Sequence, residues 1–151
     1  MSLKKRPKHF SIERLEKLEK LQDSIVKRKL SLIKDYEINH NDLFENPFAW
    51  CNKLSISKFI AHYELMKRVN NLPGHIIELG VFKGNGLLTF SKLLEIMSPL
   101  DRTRKVFGFD HFNGLTDFDP KKDGAEYNWG FKFKGGFNTN ENIVEELINI
   151  S

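Results

Sequence analysis

Apolar residues recur along the chain with two spacings, and each spacing predicts a different kind of element. Over residues 12–34 they fall at intervals of three, four and seven, which indicates a helix with one apolar stripe, capped by Ser11. Residues 57–69 show the same spacing, and the Asn-Asn-Leu-Pro-Gly run that follows ends this second helix. Residues 35–56, rich in asparagine and aromatics, have no period and are expected to be irregular.

Short apolar runs at residues 75–79 and 106–110 are typical of buried strands, and the apolar spacing between them predicts a helix. We expect these strands to pair in parallel through a right-handed crossover. Residues 111–138 are then a long loop rich in glycine and aromatics, a length typical of lids and binding loops. A last helix is expected to follow a cap at Asn138 or Thr139.

The pattern divides the chain into a basic helical N-terminal extension, residues 1–54, and an α/β domain, residues 55–151. The positive net charge belongs to the extension, because residues 1–34 carry eleven Lys or Arg and four Asp or Glu. The rest of the chain does not resemble a nucleic-acid-binding surface, so we disfavour a nucleic-acid partner. The apolar stripe of the first helix leaves three alternatives open: packing on its own protein, self-association as a coiled coil, or binding to RNA or an acidic membrane.

Composition restricts the environment of the protein. No run approaches the ~18 apolar residues of a membrane span, and the basic start leads into no apolar signal core. Cys51 is the single cysteine, which excludes an intramolecular disulfide and fits a reducing compartment. We therefore expect a cytoplasmic protein that does not bind membranes.

The candidate chemistry lies where the two predicted strands end. Glu78 ends the first strand just before a glycine-rich turn, and Asp110 ends the second. In a parallel sheet both acids reach the same edge, which suits a ligand with an amine and a ribose. A structural alternative stays open for each: Glu78 as a cap on a neighbouring helix, and Asp110 as the start of an Asx turn.

The glycine spacing narrows the ligand class. Gly80, Gly84 and Gly86 give Gly-x-x-x-Gly-x-Gly and not the dinucleotide-binding Gly-x-Gly-x-x-Gly, which disfavours a pyrophosphate cradle. An acid beside the turn would also repel a phosphate. A cofactor with a cationic amino-acid portion fits better, and S-adenosylmethionine has one.

At this point the sequence resembles a family. Residues 72–84 combine Pro-Gly, an apolar strand, Glu-x-Gly-Val, an aromatic, a basic residue and Gly, and residues 109–115 read Phe-Asp-His-Phe-Asn-Gly-Leu. Both runs resemble motifs of the macrocin O-methyltransferase type of class I S-adenosylmethionine-dependent methyltransferases. The second corresponds to that family's Asp-Ser-Phe-Glu-Gly-Leu-Pro. The departures from the family pattern are Gly86 for Ser, His111 for Ser, Asn113 for Glu and Thr116 for Pro.

The resemblance covers about residues 55–150 and implies a truncated Rossmann-like class I methyltransferase fold with an N-terminal helical extension. It implies that Glu78 and the turn contact the methionine portion of S-adenosylmethionine, while Asp110 holds the ribose. The catalytic base and the ligands of an assisting Mg²⁺ would lie beyond Ser151, so no catalytic or metal residue is assigned within these residues. The cofactor-binding residues are then Glu78, Gly80, Val81, Phe82, Gly84, Gly86, Asp110, His111 and Phe112.

The implied activity is O-methylation of a small-molecule acceptor, a sugar or sugar-bearing metabolite, with catalysis mainly by placing two reactants together. A two-stranded sheet has open edges, so we expect a homo-oligomer or a complementing C-terminal half as partner. Two alternatives stay open. One is a non-catalytic interaction module with a degenerate cofactor half-site, and the other is a nicotinamide-binding oxidoreductase or epimerase.

Overall fold

The computed structural model of the protein describes residues 12–117, 119 and 136–151. The chain separates into two compact units, Met1–Asn52 and Lys53–Ser151. Among the described residues no helix is long and apolar enough to span a membrane. The predicted cap Ser11 and the middle of the predicted 111–138 loop lie outside the described residues.

The first unit is helical, with α1 (Ile12–Asp35), α2 (His40–Glu45) and α3 (Pro47–Trp50). The predicted first helix is confirmed, but the expectation that residues 35–56 are irregular is wrong. Asn39 caps α2 by accepting a hydrogen bond from the Asn41 N–H at 3.0 Å. Pro47 starts α3 with a backbone angle suited to the first helical position. These helices are shorter than two turns, too short for an apolar period to reveal.

Lys29 of α1 forms hydrogen bonds with the end of α3. Its Nζ donates to the carbonyls of Ala49, Trp50 and Cys51 at 3.2, 2.7 and 3.1 Å. These carbonyls lie at the carboxyl end of a helix, where the backbone dipole favours a cation. One half-buried lysine therefore connects α1 to the end of α3 through three hydrogen bonds.

The second unit contains α4 (Lys53–Val69), β1 (Ile76–Leu79), α5 (Asn85–Met97), β2 (Val106–Phe109) and α6 (Glu141–Asn149). The prediction of a parallel strand–helix–strand unit is confirmed, since β1 and β2 pair in parallel with Ile76 opposite Val106 and Leu79 opposite Phe109. This small parallel sheet with its helices makes the unit α/β.

Both strands are one residue shorter than predicted, since β1 begins at Ile76 and β2 ends at Phe109, and the starts of two helices also differ. Helix α4 begins at Lys53 and not at residue 57. Residues 53–56 contain no proline or glycine that would prevent the helix from starting earlier. The cap of α6 is Asn140, whose side chain accepts from the Asn142 N–H at 3.0 Å, and not Asn138 or Thr139. All three residues can cap a helix, so the sequence alone did not distinguish them.

Two small apolar clusters hold the unit together. Met66 of α4 and Leu93 and Leu94 of α5 form the first, against which Ile76, Phe90, Met97 and Val106 pack. Val81, Leu87 and Val144 form the second, with Val106 and Phe112 beside it. The second cluster lies directly beneath the carboxyl ends of both strands, so it joins the turn after β1, the start of α5 and helix α6 into one support.

Candidate functional site

Glu78 lies against the first turn of α5. Its carboxyl group accepts a hydrogen bond from the Leu87 N–H, one of the amides that a helix start leaves without an internal partner. The helix cap, Gly84, has no side chain with which to make that bond. The structural role left open for Glu78, a cap on a neighbouring helix, is therefore present in the structure.

Gly86 makes room for this acid. A Cβ at Gly86 would lie 2.8 Å from Glu78 Cδ and closer still to one carboxylate oxygen. The carboxyl group thus rests where any other residue would place its side chain. Gly86 stands where the motif that this chain resembles has Ser, and the Cβ of a serine would collide with this carboxyl group.

The capping bond leaves part of Glu78 unsatisfied. Oε2 is buried and has no hydrogen-bond partner among the described residues. Burial raises the pKa of the Glu78 carboxyl above its ordinary value, although the Leu87 N–H opposes the shift. A buried carboxylate oxygen without a donor is a costly arrangement that a cationic or hydrogen-bonding ligand would relieve.

The turn between β1 and α5 depends on backbone conformations that favour glycine. Gly80 has φ 90° and Gly84 has φ 79°, a region that residues with a Cβ seldom occupy. Phe82 lies between them at φ 52°, which costs on the order of 1 kcal/mol for a non-glycine residue. A Cβ on Gly80 would meet no atom within 4 Å, so the space over the start of the turn is open.

Asp110 directly follows β2 and accepts hydrogen bonds from the turn after β1 and from its own loop. Its Oδ2 accepts from the Phe82 N–H at 2.8 Å and its Oδ1 accepts from the Phe112 N–H at 2.7 Å. The second bond is the Asx turn foreseen as the structural alternative for this residue. Burial raises the pKa of Asp110, but the N–H bonds from Phe82, Phe112 and Val81, with the charge of His111, outweigh it and leave the pKa lowered.

The loop after β2 and the segment before α6 contact each other and the glycine turn. Phe112 also has positive φ, 57°, and its carbonyl accepts from the Thr139 N–H at 3.1 Å. The Leu115 N–H donates to the Gly136 carbonyl at 2.8 Å. The ring of Phe137 meets that of Phe82 edge-on, with centroids 5.6 Å apart. The segment before α6 is thereby fixed to the glycine turn through backbone bonds and one aromatic pair.

A cleft of about 540 Å³ opens beside Asp110. The turn and β2 form one wall, and α6 forms the other with Glu141, Val144 and Glu145. No ligand role is predicted from the sequence for this face of α6. Its acids lie four residues apart on one helix face, and such acids are usually solvated.

The structure places the predicted site residues in three neighbouring locations: the cleft, the start of α5, and the turn between β1 and α5 with Gly80, Phe82 and Gly84. Asp110, His111, Phe112 and Val81 line the cleft. Glu78 and Gly86 meet at the start of α5. Of the loop aromatics that could form a lid, Trp129, Phe131 and Phe133 lie outside the described residues, and Phe137 packs on Phe82. Within the described part of the chain no group of three or more His, Cys, Asp or Glu residues is placed to hold a metal ion.

Comparison with solved structures finds a methyltransferase. Over 99% of its length this chain superposes on 55% of the chain in the crystal structure of CalS11, calicheamicin methyltransferase, with a TM-score of 0.67 and 22% sequence identity. This chain thus spans about half the length of that neighbour. No protein-family model matches the sequence. No curated protein matches it either. What the comparison establishes is that the chain has an α/β fold similar to that of a methyltransferase.

Proposed function

We propose that this chain forms the S-adenosylmethionine-binding part of a class I, Rossmann-like methyltransferase. The observation that supports this most directly is the pair of carboxylates, Glu78 and Asp110, at the same edge of the parallel strands. Glu78 has a buried oxygen without a donor, which suits the cofactor's amine. Asp110 is held ionised by backbone N–H groups, which suits ribose hydroxyls.

The capping roles of these acids are compatible with ligand binding. The two oxygens of a carboxylate offer about four lone-pair sites, and the N–H groups of Phe82, Phe112 and Val81 use three of them on Asp110. One ribose hydroxyl could therefore donate to Asp110 without breaking the bonds that fix the turn. The open space at Gly80 gives a ligand access to the backbone of the turn. The residues present thus fit the cofactor.

When bound, S-adenosylmethionine supplies an electrophilic methyl group to an acceptor. The residues of this chain would hold the amine and ribose ends of the cofactor and exclude water on the side of the second apolar cluster. We propose O-methylation of a small molecule, a sugar or sugar-bearing metabolite, with rate acceleration mainly from positioning. The structural neighbour bears the name of calicheamicin, which agrees with a small-molecule acceptor.

Isothermal titration calorimetry with S-adenosylhomocysteine on the 151-residue chain tests this proposal. Glu78→Gln and Asp110→Asn should each weaken binding at least about tenfold, or ~1.4 kcal/mol. Glu95→Gln on the outer face of α5 and Asp117→Asn in the loop after β2 are exposed matched controls that should bind as the parent does.

Two results would contradict the proposal. One is the absence of S-adenosylhomocysteine binding by a chain whose circular dichroism shows it folded. The other is binding that all four variants retain equally, since the ligand would then lie elsewhere. Tighter binding of NAD than of S-adenosylhomocysteine would favour the oxidoreductase alternative instead.

A further inference from the structure

Backbone strain in the described part of the chain is concentrated around Asp110. Among the described residues four that are not glycine have positive φ, and three of them are Phe82, Phe112 and Phe137, at 52°, 57° and 65°. All three lie in the turn after β1 or in the loop between β2 and α6. Such conformations cost free energy and persist only where the surroundings hold them, which is common at binding sites. The contacts that hold each phenylalanine therefore indicate what the arrangement positions.

Asp110 holds the backbone of two of these residues. Its carboxylate accepts from the Phe82 N–H at 2.8 Å and from the Phe112 N–H at 2.7 Å. The ring of Phe82 has contacts of its own. Its centroid lies 5.6 Å from that of Phe137, with the two rings edge-on, and 5.4 Å from Lys83 Nζ. Lys83 is exposed, and water weakens such an attraction, so the aromatic pair is the main contact of the Phe82 ring among these two.

Two backbone bonds, one on either side of Phe137, bring its ring to this place. The Leu115 N–H donates to the carbonyl of Gly136, a buried residue, at 2.8 Å. The Thr139 N–H donates to the Phe112 carbonyl at 3.1 Å. Phe137 is nevertheless 44% exposed. A large apolar side chain that combines a strained backbone with exposure to water adds little to folding, which favours a role in positioning its neighbour.

The strength of the aromatic pair matches the strain that it has to offset. An edge-on pair of rings stabilises by about as much as one left-handed residue with a side chain costs. Without the pair, Phe82 would gain free energy by leaving its conformation. Leaving it would withdraw the Phe82 N–H from Asp110 and disturb the turn bond that spans Phe82, from the Gly84 N–H to the Val81 carbonyl at 2.9 Å. The shape of the turn therefore depends on Phe137.

We propose that Phe137 is a positioning residue for the cofactor-binding turn. Its ring holds Phe82 in the left-handed conformation that directs the Phe82 N–H to Asp110, so the turn and the ribose-binding carboxylate are in place before a ligand arrives. Phe137 acts on the ligand through Phe82. The effect on ligand affinity rests on the proposed function, but the effect on the conformation of Phe82 does not, so the two are measured separately.

Amide hydrogen exchange of residue 82, followed by NMR in the 151-residue chain, measures the conformation. Phe137→Ala should lower the protection factor of this amide about tenfold, or ~1.4 kcal/mol. Phe82→Ala should do the same, because it removes the ring and keeps a Cβ. Phe82→Gly also removes the ring but relieves the left-handed strain, so protection should stay within about threefold of the parent. Phe44→Ala, at a phenylalanine 81% exposed in α2, is the matched control and should change nothing.

Calorimetric titration with S-adenosylhomocysteine measures the effect on affinity. Phe137→Ala should weaken binding about tenfold, while Phe137→Tyr keeps the aromatic ring and should bind as the parent does. If the parent chain itself does not bind, the proposed function fails, and the exchange pattern still decides whether Phe137 holds Phe82.

Three results would overturn the inference. One is an equal loss of protection in Phe82→Ala and Phe82→Gly, since the ring contact would then contribute packing alone. Another is unchanged protection in a Phe137→Ala chain that circular dichroism shows to be folded. The third is a Phe137→Tyr chain that binds as weakly as Phe137→Ala. If Phe137→Ala does not fold, Phe137→Leu replaces it, because leucine keeps apolar bulk without a ring and should lose the same protection.

Discussion

Glu78 lies near the carboxyl end of β1, opposite Gly108, and Asp110 directly follows β2, yet the pKa values of the two carboxyl groups shift in opposite directions. Burial raises the pKa of Glu78 and a single backbone amide opposes that shift. Three backbone amides and His111 lower the pKa of Asp110 against its own burial. Position in the sheet thus determines where an acid lies, and the balance between burial and the N–H groups directed at it determines the direction of its pKa shift.

Gly86 in α5 and Gly108 in β2 each allow a side chain to pack closely against the backbone, but the side chains differ in kind. Gly86 admits the carboxyl group of Glu78, while Gly108 admits the apolar side chains of Val81 and Leu87. The first contact can yield, because a glutamate side chain is flexible at its end. The second contact involves packed apolar groups that cannot move without opening the core. Substitutions at the two glycines should therefore differ in kind.

Gly108→Ala should have the largest effect on stability. Its Cβ would lie 2.6 Å from Val81 Cγ2 and 3.1 Å from both Leu87 methyl carbons. Such overpacking costs about 1–3 kcal/mol, measured as the free energy of unfolding in urea. A double-mutant cycle with Val81→Ala should recover part of the loss by removing the nearest methyl. Additive losses in the cycle would show that Val81 is not the obstacle.

Asp110→Asn should have the next largest effect and lower the free energy of unfolding by about 1–2 kcal/mol at neutral pH. The amide keeps one acceptor and replaces the other with an N–H group, which faces the N–H of Phe82 or Phe112. Those residues have positive φ angles and lose the bond that helps to hold them there. Asp117→Asn, in an exposed turn, is the matched control. Equal stability of the two variants would contradict the clamping role of Asp110.

Gly86→Ala should change the pKa of Glu78 more than it changes the free energy of unfolding. Alanine favours a helix over glycine by up to about 1 kcal/mol, which offsets the lost bond between Leu87 and Glu78. The displaced carboxyl group moves towards water, so the pKa of Glu78 should fall back towards its ordinary value. Carbon-detected NMR titration measures this, with Asn85→Ala as the control. An unchanged Glu78 pKa would show that the carboxyl group was not displaced.

The strands, the helix between them and both acids could be predicted from sequence because apolar runs and strand ends are local signals. The contact between Glu78 and Gly86 could not, since it joins a strand side chain to a helix eight residues later through their relative packing. The same holds for Lys29, whose three carbonyl partners lie at the carboxyl end of a later helix. Helices α2 and α3 were missed because two turns or fewer show no period.

The cleft beside Asp110 is another feature that depends on contacts between elements and could not be predicted from sequence. Val144 is one of the apolar residues of the last helix, and it is 2% exposed. The spacing of these residues carries no information on which other element the helix meets. Only the fold places Glu141 and Glu145 across from Asp110. Acids on a helix surface are usually solvated, so sequence alone gave no reason to assign these two to a site.

Glu78→Gln should have the smallest effect on stability, within about 0.5 kcal/mol at neutral pH. Glutamine keeps an acceptor for the Leu87 N–H and removes a partly buried charge, and these changes oppose each other. The pH dependence is more informative. A carboxyl whose folded pKa is raised contributes stability fully below its ordinary value of 4.5 and loses it as pH rises through the folded pKa.

Asp110 should show the reverse dependence, and this sharpens the comparison between the two acids. Its folded pKa is lowered, so its contribution is present above the ordinary value of 3.8 and is lost as pH falls through the folded pKa. Urea unfolding at a series of pH values gives the parent-minus-variant stability. That difference should fall with rising pH for Glu78→Gln and rise with pH for Asp110→Asn. Slopes of the same sign would show that the two strand ends do not hold their acids in opposite ways.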